Sequence, residues 1–334
     1  MVKRLLSIIT VSLLSLSLVF SGCTTAKSPT KKQPKPPTKQ QTTLNLFGAG
    51  TLATPVKKIN SAFQAKNPDV KVNPQFGGSV KMVKQVTELH QPADIVAVAD
   101  YSVIPKYMFG NNGQKKYTDW YIGFATNGIT FVYTDQSKGA KEITSANWYQ
   151  VLARPGIQIG RSNPDTDPSG YQTLQMLDLA EKYYKKPGLA QSILKNAPTK
   201  NMRDTETELL SALKAGQIDY LAIYRSDAKQ HNLKYLDLPK EIDLSDTKFS
   251  NAYKQVSVKT KNGSLSGKPI IYAITIPSTA AQADWAKKYV SFLLGSDGRT
   301  IFEQNGFGLL EKPLASDPAK VPAELKNTVT AWPK

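Results

Sequence analysis

Three short loops carry the residue types that hold an anion: Gly50-Thr51, Gly78-Ser79 and Ser169-Gly170. Each precedes or opens a segment of helical spacing, so each offers helix-start N–H groups together with a hydroxyl. A fourth place is the stretch from Asn201 to Asp227, with Glu206 at a helix start and Tyr224 at the end of an apolar run. Any one of these alone is ordinary turn chemistry. Four in one chain point to a bound anion. The carboxylates Asp167 and Glu206 lie among them, and both also fit a plain structural role, since an acid in a helix's first turn stabilises it by about 0.3 to 1 kcal/mol.

Other chemistries lack their residues. Histidine occurs twice, His90 and His231, and cysteine once, Cys23, so no His or Cys metal cluster can be assembled. Two isolated histidines in polar surroundings give no Ser-His-Asp constellation and no nucleophile elbow. Gly48-Ala49-Gly50 and Gly77-Gly78-Ser79 lack the Lys-Ser/Thr ending of a P-loop, so nothing demands a nucleotide.

The elements that must position these loops follow from periodicity. Residues 44–47 read as a strand, followed by Leu52, Val56, Ile59 and Phe63 at helical spacing, with Thr54-Pro55 as N-cap and first helical residue. A turn at Asn67-Pro68-Asp69 leads to a strand over 70–76. Gly77-Gly78-Ser79 then opens a helix carrying Val80, Val83 and Val86, and a strand follows over 93–99. This β-α-β-α-β order starts a mostly parallel sheet. Residues 120–133 read as strand material crossing to a second lobe, and 185–200 as a polar loop. Asp167-Pro168 reads as N-cap and first residue of a helix holding Leu174, Leu177 and Tyr184. Thr205 and Glu208 fit a capping box, with Leu209, Leu210 and Leu213 as the apolar face, Gly216 as the left-handed stop and a strand over 218–224. Strands over 249–261 and 270–276 and a helix over 280–294 complete the pattern.

The chain has 334 residues, and its 40% hydrophobic content is enough for two proper cores. The net charge of +17 is unevenly placed: Lys3, Arg4, Lys27, Lys31, Lys32, Lys35 and Lys39 all precede Thr43, with no acid among them. The remaining basic residues are scattered and poor in arginine, which speaks against nucleic acid and suits capture of small anions. Lys3 and Arg4 before an apolar run over 5–20, closed by Ser21-Gly22-Cys23, read as a signal peptide over 1–22 ending in a bacterial-type lipobox. Sixteen residues containing four serines are short and polar for a membrane span of about 20. Cys23 is the expected lipidation site, and the Pro- and Lys-rich stretch to residue 42 is the expected tether.

Several segments in order carry a family likeness: Ala99-Asp100-Tyr101-Ser102-Val103-Ile104-Pro105, Asn147-Trp148-Tyr149, Ser162-Asn163-Pro164 with Asp167-Pro168-Ser169-Gly170-Tyr171, Ile218-Asp219-Tyr220 with Ile223-Tyr224-Arg225-Ser226, and Thr275-Ile276-Pro277. From residue 44 to about 329 the chain resembles the extracytoplasmic solute-binding proteins of ATP-powered (ABC) transporters, and more closely their tungstate/molybdate-binding branch. That resemblance implies an α/β fold of two lobes, the type II periplasmic-binding-protein fold, with two mixed-sheet domains joined by a two-strand hinge. Domain I would be 43–125 with 270–334, and domain II 126–269. It implies that Thr51, Ser79, Ser169 and Tyr224 contact the oxyanion, and that Asp167 and Glu206 bond its tungsten or molybdenum directly. Thr51 stands where the family has serine, which keeps the hydroxyl. It further implies a monomer without cofactor, lipid-anchored on the outer face of the cell membrane, which delivers its ligand to an ABC permease and is not an enzyme. Tungstate and molybdate share charge and nearly share size, so they form one expected ligand class.

Two other readings of the same residues stay open. The cleft could hold sulfate or phosphate, against which a carboxylate pair speaks, because like charges in a low-dielectric cleft repel by several kcal/mol at an effective dielectric of about 20. An extracellular enzyme could use Asp167 and Glu206 as an acid–base pair.

Overall fold

A computed structural model describes residues 41–110, 113 and 115–332. The expected signal peptide, Cys23 and nearly all of the 23–42 tether lie outside the described residues. The chain from Gln40 onward forms one compact unit built on two mixed sheets.

The larger sheet takes strands from both ends of the chain: β1 (Thr42–Ala49), β2 (Val70–Gly77), β3 (Ile95–Val98) and β4 (Ile122–Thr126) from the first part. The smaller sheet takes β5 (Ile129–Tyr133), β6 (Ile159–Ser162), β7 (Met202–Arg203), β8 (Tyr220–Tyr224) and β9 (Lys234–Tyr235). β10 (Ser257–Thr260) and β11 (Gly263–Ser266) form a separate hairpin. β12 (Ile271–Thr275), β13 (Gly308–Ala315) and β14 (Thr330–Ala331) return to the larger sheet.

Strand order is β2-β1-β3-β12-β4-β13-β14 in the larger sheet and β7-β6-β8-β5-β9 in the smaller. β1 pairs in parallel with β2 and β3, as the β-α-β-α-β reading requires. β12 then inserts antiparallel between β3 and β4, which makes the sheet mixed. In the smaller sheet β6 is parallel to β7 and β8, while β5 is antiparallel to β8 and β9. All five residues of β12 and β8 are buried, matching strands covered on both faces.

Helices cover these faces through the expected apolar positions. The helix Ala53–Lys66 buries Val56, Ile59 and Phe63, and Phe63 packs edge-on against Tyr289 with ring centroids 5.2 Å apart. Its N-cap is Leu52, so Thr54 is not the cap; the 3-10 turn Gly50–Leu52 already carries the chain into the helix. The expected polar loop over 185–200 instead contains the helix Leu189–Leu194, which buries Leu189, Ala190 and Ile193. The strand expected over 249–261 is shorter: a 3-10 turn Thr247–Phe249 and the helix Ser250–Tyr253 precede β10, and buried Tyr253 anchors them. Gly216 has φ of +68°, the left-handed stop its position predicts.

Candidate functional site

The site is built from the C-terminal ends of parallel strands, where open α/β sheets place ligands. Thr51 lies in the 3-10 turn after β1, and Ser79 is the first residue of the helix Ser79–Thr87 after β2. Asp167 is the N-cap of the helix Pro168–Tyr183 that follows β6, and Ser169 lies in that helix's first turn. Glu206 follows β7 and precedes the 3-10 turn Thr207–Leu209, and Tyr224 is the last residue of β8. All six are buried.

The two carboxylates do not act as helix caps. Asp167 has the extended backbone of an N-cap, with φ of −138°, but its side chain makes no cap bond. Glu206 makes none either. The expected capping box is not formed: the Thr205 hydroxyl donates to the Glu208 carboxylate at 3.0 Å, and the segment starts as the 3-10 turn Thr207–Leu209. Asp167 and Glu206 instead bond each other. Burial, then the neighbouring Glu206, push the Asp167 carboxyl well up, and burial raises Glu206 despite its bond to Asp167. Burial opposes ionisation of both acids, and the charge of Glu206 adds to it at Asp167.

A third acid belongs to this group. Asp227, in the helix Arg225–Gln230, is 1% exposed, and burial and then the Glu206 charge push its carboxyl well up. Thr51 links the larger sheet to this region through its hydroxyl, 3.2 Å from that of Ser226. The charges acting on the three acids are those of Asp167, Glu206, Asp227 and Glu208, with no lysine or arginine among them. Among the described residues no three His, Cys, Asp or Glu are gathered as a metal-ion cage. The three acids therefore interact without forming a cation site.

Four buried polar atoms in these loops have no hydrogen-bond partner: Ser162 Oγ, Asp167 Oδ2, Ser169 Oγ and Asp227 Oδ2. Orphaned polar atoms are costly unless a ligand or water meets them. The other hydroxyls are already engaged. Ser79 Oγ accepts from the Ala99 N–H at 3.0 Å, which leaves its own hydrogen to donate. Tyr224 donates to Gln172 Oε1 at 2.7 Å, so it must release Gln172 before it can donate elsewhere. Burial holds the Tyr224 hydroxyl in its neutral form.

Contacts between the two sheets close over these residues. Tyr171 donates to Asp100 Oδ2 at 2.7 Å, and Lys268 pairs with the same oxygen at 2.9 Å. Lys81 pairs with Asp204 at 3.0 Å, and its N–H reaches Thr166 O at 3.4 Å. Gly78 is the closest approach: a Cβ there would stand 2.5 Å from Thr166 O and 3.1 Å from Asp167 Cβ. Arg225 instead faces Asp243 at 3.8 Å and lies outside the group.

Sequence reasoning named Thr51, Ser79, Asp167, Ser169, Glu206 and Tyr224, and missed Ser162, Asp227 and the Asp100–Lys268 pair. A signal for Asp227 existed, because Ser226-Asp227 directly follows the C-terminal end of an apolar strand.

Residues 44–308 match the family described as bacterial extracellular solute-binding protein. The chain is 35% identical over 354 residues to the molybdate/tungstate-binding protein WtpA of Thermococcus kodakarensis, covering 98% of this chain and 97% of that one. It is 38% identical to the protein of the same name from Pyrococcus abyssi, over 86% of this chain and 89% of that one. An uncharacterised solute-binding protein of Petrotoga mobilis is also 38% identical, over 84% and 88% of the two chains. Among solved structures, the periplasmic molybdate-binding protein of Azotobacter vinelandii aligns with a TM-score of 0.59 at 17% identity, over 80% of this chain and all of that one. The sulfate-binding protein SubI of Mycobacterium tuberculosis aligns at 0.57 and 15%, over 81% and 88%. These two show the shared fold. By its matched length and its relatives, the chain belongs to the bacterial extracellular solute-binding proteins.

Proposed function

We propose that the protein binds tungstate or molybdate between its two sheets and delivers it to an ABC-type permease. The observation that carries this reading is the buried Asp167–Glu206 pair, which caps no helix and retains an unpartnered oxygen. A carboxylate pair in a buried cleft repels sulfate or phosphate. Tungsten and molybdenum can expand their coordination, so both acids can bond the metal of the bound oxyanion while Thr51, Ser79, Ser169 and Tyr224 hold its oxo groups. The acids then attract one anion class and reject the others. Relatives named for molybdate and tungstate binding, at 35% and 38% identity, support the same ligand class.

The finer features of this reading are proposals as well. The lobes, 43–125 with 270–334 and 126–269, open and close about a two-strand hinge where the chain passes between sheets near Asn127 and Ile270. Binding shifts the population toward the closed form, which the permease reads. The protein acts as a monomer without cofactor and does not turn its ligand over. Lys3, Arg4, the apolar run and Cys23 direct it outside the cell and anchor it by lipid, and the basic tether spaces it from the membrane. No helix among the described residues is long and apolar enough to cross a membrane.

Calorimetry with tungstate, molybdate, sulfate and phosphate tests the reading. Tight 1:1 binding of the first two and far weaker binding of the others is expected. Sulfate binding as tight as tungstate binding would overturn it, and ligand turnover would favour the enzyme reading.

A further inference from the structure

The β10–β11 hairpin pairs with neither sheet. Of its strand residues Val258 is buried, Thr260 and Leu265 are half-buried and the others are exposed. A two-stranded hairpin this open to water is marginal on its own, so its docking contacts hold it in place. On one side they reach the loop that carries Asp167. Asp165, two residues before that acid, accepts the Lys261 N–H at Oδ1 at 2.8 Å and Asn262 Nδ2 at its carbonyl at 2.8 Å. Gln175, on the helix that Asp167 opens, donates from Nε2 to the Leu265 carbonyl at 2.9 Å.

On the other side the hairpin tip reaches the part of the chain that builds the larger sheet. Lys106 Nζ, on the helix Val103–Met108 that follows β3, donates to the Asn262 carbonyl. Gly263, at φ of +104°, makes the tight turn behind that carbonyl. Just past the hairpin, Lys268 donates to Ser102 Oγ at 2.7 Å beside its pair with Asp100. A small cavity lined by Val80, Lys106, Tyr107, Pro164, Tyr171 and Asn262 lies against the tip, so Asn262 bridges a gap between the two sides.

We propose that the β10–β11 hairpin is a strap over the cleft: its tip travels with the Asp167 loop and fastens on Lys106 once the anion is inside. A lysine ammonium on a flexible stem, donating to a backbone carbonyl, releases and re-forms without repacking a core. The strap therefore governs how long the ligand stays and leaves its rate of entry alone, as a contact made after closure does. This inference rests on the oxyanion reading proposed above.

Stopped-flow kinetics with tungstate on the purified protein test it. Lys106→Met keeps the stem and removes the donor, and it should speed tungstate dissociation about fivefold while association stays within about twofold. Asn262→Ala cuts the tie between the tip and Asp165 and carries the same expectation, so it decides the matter if the methionine variant melts differently from the parent. Lys259→Met removes an equal charge from an exposed position on the same hairpin and should leave dissociation unchanged. Hydrogen exchange gives a second readout: the amides of 257–266 should be protected by tungstate in the parent protein, and Lys106→Met should abolish that protection. Unchanged dissociation in both variants, an equal effect from Lys259→Met, or hairpin exchange indifferent to tungstate would overturn the strap and leave the oxyanion reading intact. A parent protein that binds neither tungstate nor molybdate would overturn both.

Discussion

Tyr171 and Asp100 join the two sheets by one short hydrogen bond: the tyrosine hydroxyl, on the helix that follows β6, donates to Asp100 Oδ2 at 2.7 Å just beyond β3. Lys268 holds the same carboxylate at 2.9 Å. Burial alone would raise the Asp100 carboxyl, but the Lys268 charge and bonds from Lys268, Tyr171 and Ser102 together hold it below the ordinary value. Asp100 is therefore charged, and a hydrogen bond to a charged group contributes about 1.5 to 3 kcal/mol.

Tyr171→Phe removes this bond and keeps the ring. Tungstate should then dissociate faster, with affinity lowered about tenfold, or about 1.4 kcal/mol. Stopped-flow dissociation checks it, and an unchanged off-rate would mean that the bond does not hold the closed form.

Gly78→Ala tests the closed contact from the other side. The added methyl would stand 2.5 Å from Thr166 O, a backbone atom that cannot rotate aside. Closure should be obstructed, tungstate affinity should fall about tenfold or more, and small-angle scattering with ligand should report the more extended form.

Glu206→Ala and Asp167→Ala should each weaken tungstate binding far more than they change the melting temperature of the unliganded protein. Neither side chain caps its helix, so little helix stability is lost with it. A change in melting temperature with unchanged affinity would return both residues to structural roles.

The raised carboxyls also set a pH dependence. Asp167, Glu206 and Asp227 all hold their protons more tightly in the folded chain than their ordinary values of 3.8 and 4.5 allow. Their stabilising contribution is complete below those values and is lost as pH rises through the folded ones. The unliganded protein should therefore melt at lower temperature at about pH 8 than at about pH 5, and Asp167→Asn combined with Asp227→Asn should flatten the slope. Asp100 works in the opposite sense, but its contribution is lost only as pH falls below 3.8, outside that window. Thermal melts across the range check both signs.

Most of the scaffold was legible because burial leaves a period in the chain. Val56, Ile59 and Phe63 recur at helical spacing, and 270–276 is apolar apart from Thr275, so helix and central strand followed from residue type. The helix Leu189–Leu194 was hidden because its three buried residues are flanked by Pro187-Gly188 and lysines that read as loop. The site was legible where small residues open helices, at Thr51, Ser79 and Ser169. Asp227 was passed over although it directly follows an apolar strand, because Arg225-Ser226-Asp227 also has the composition of a solvated turn and only tertiary packing removes the aspartate from water. Thr205 and Glu208 have capping-box spacing, yet they bond each other at a 3-10 start, a choice that spacing alone does not reveal.

The position of β12 bears on how the chain reaches its native state. Residues 271–275 fill the middle of the larger sheet, separating β3 from β4, although they lie some 150 positions later in sequence than β4. Until they emerge from synthesis or translocation, β1 to β3 and β4 are two fragments without a shared neighbour. Such pairing has high contact order and is slow. A chain lacking its last quarter cannot finish this sheet, so the larger sheet is completed only after residues 271–275 have been made.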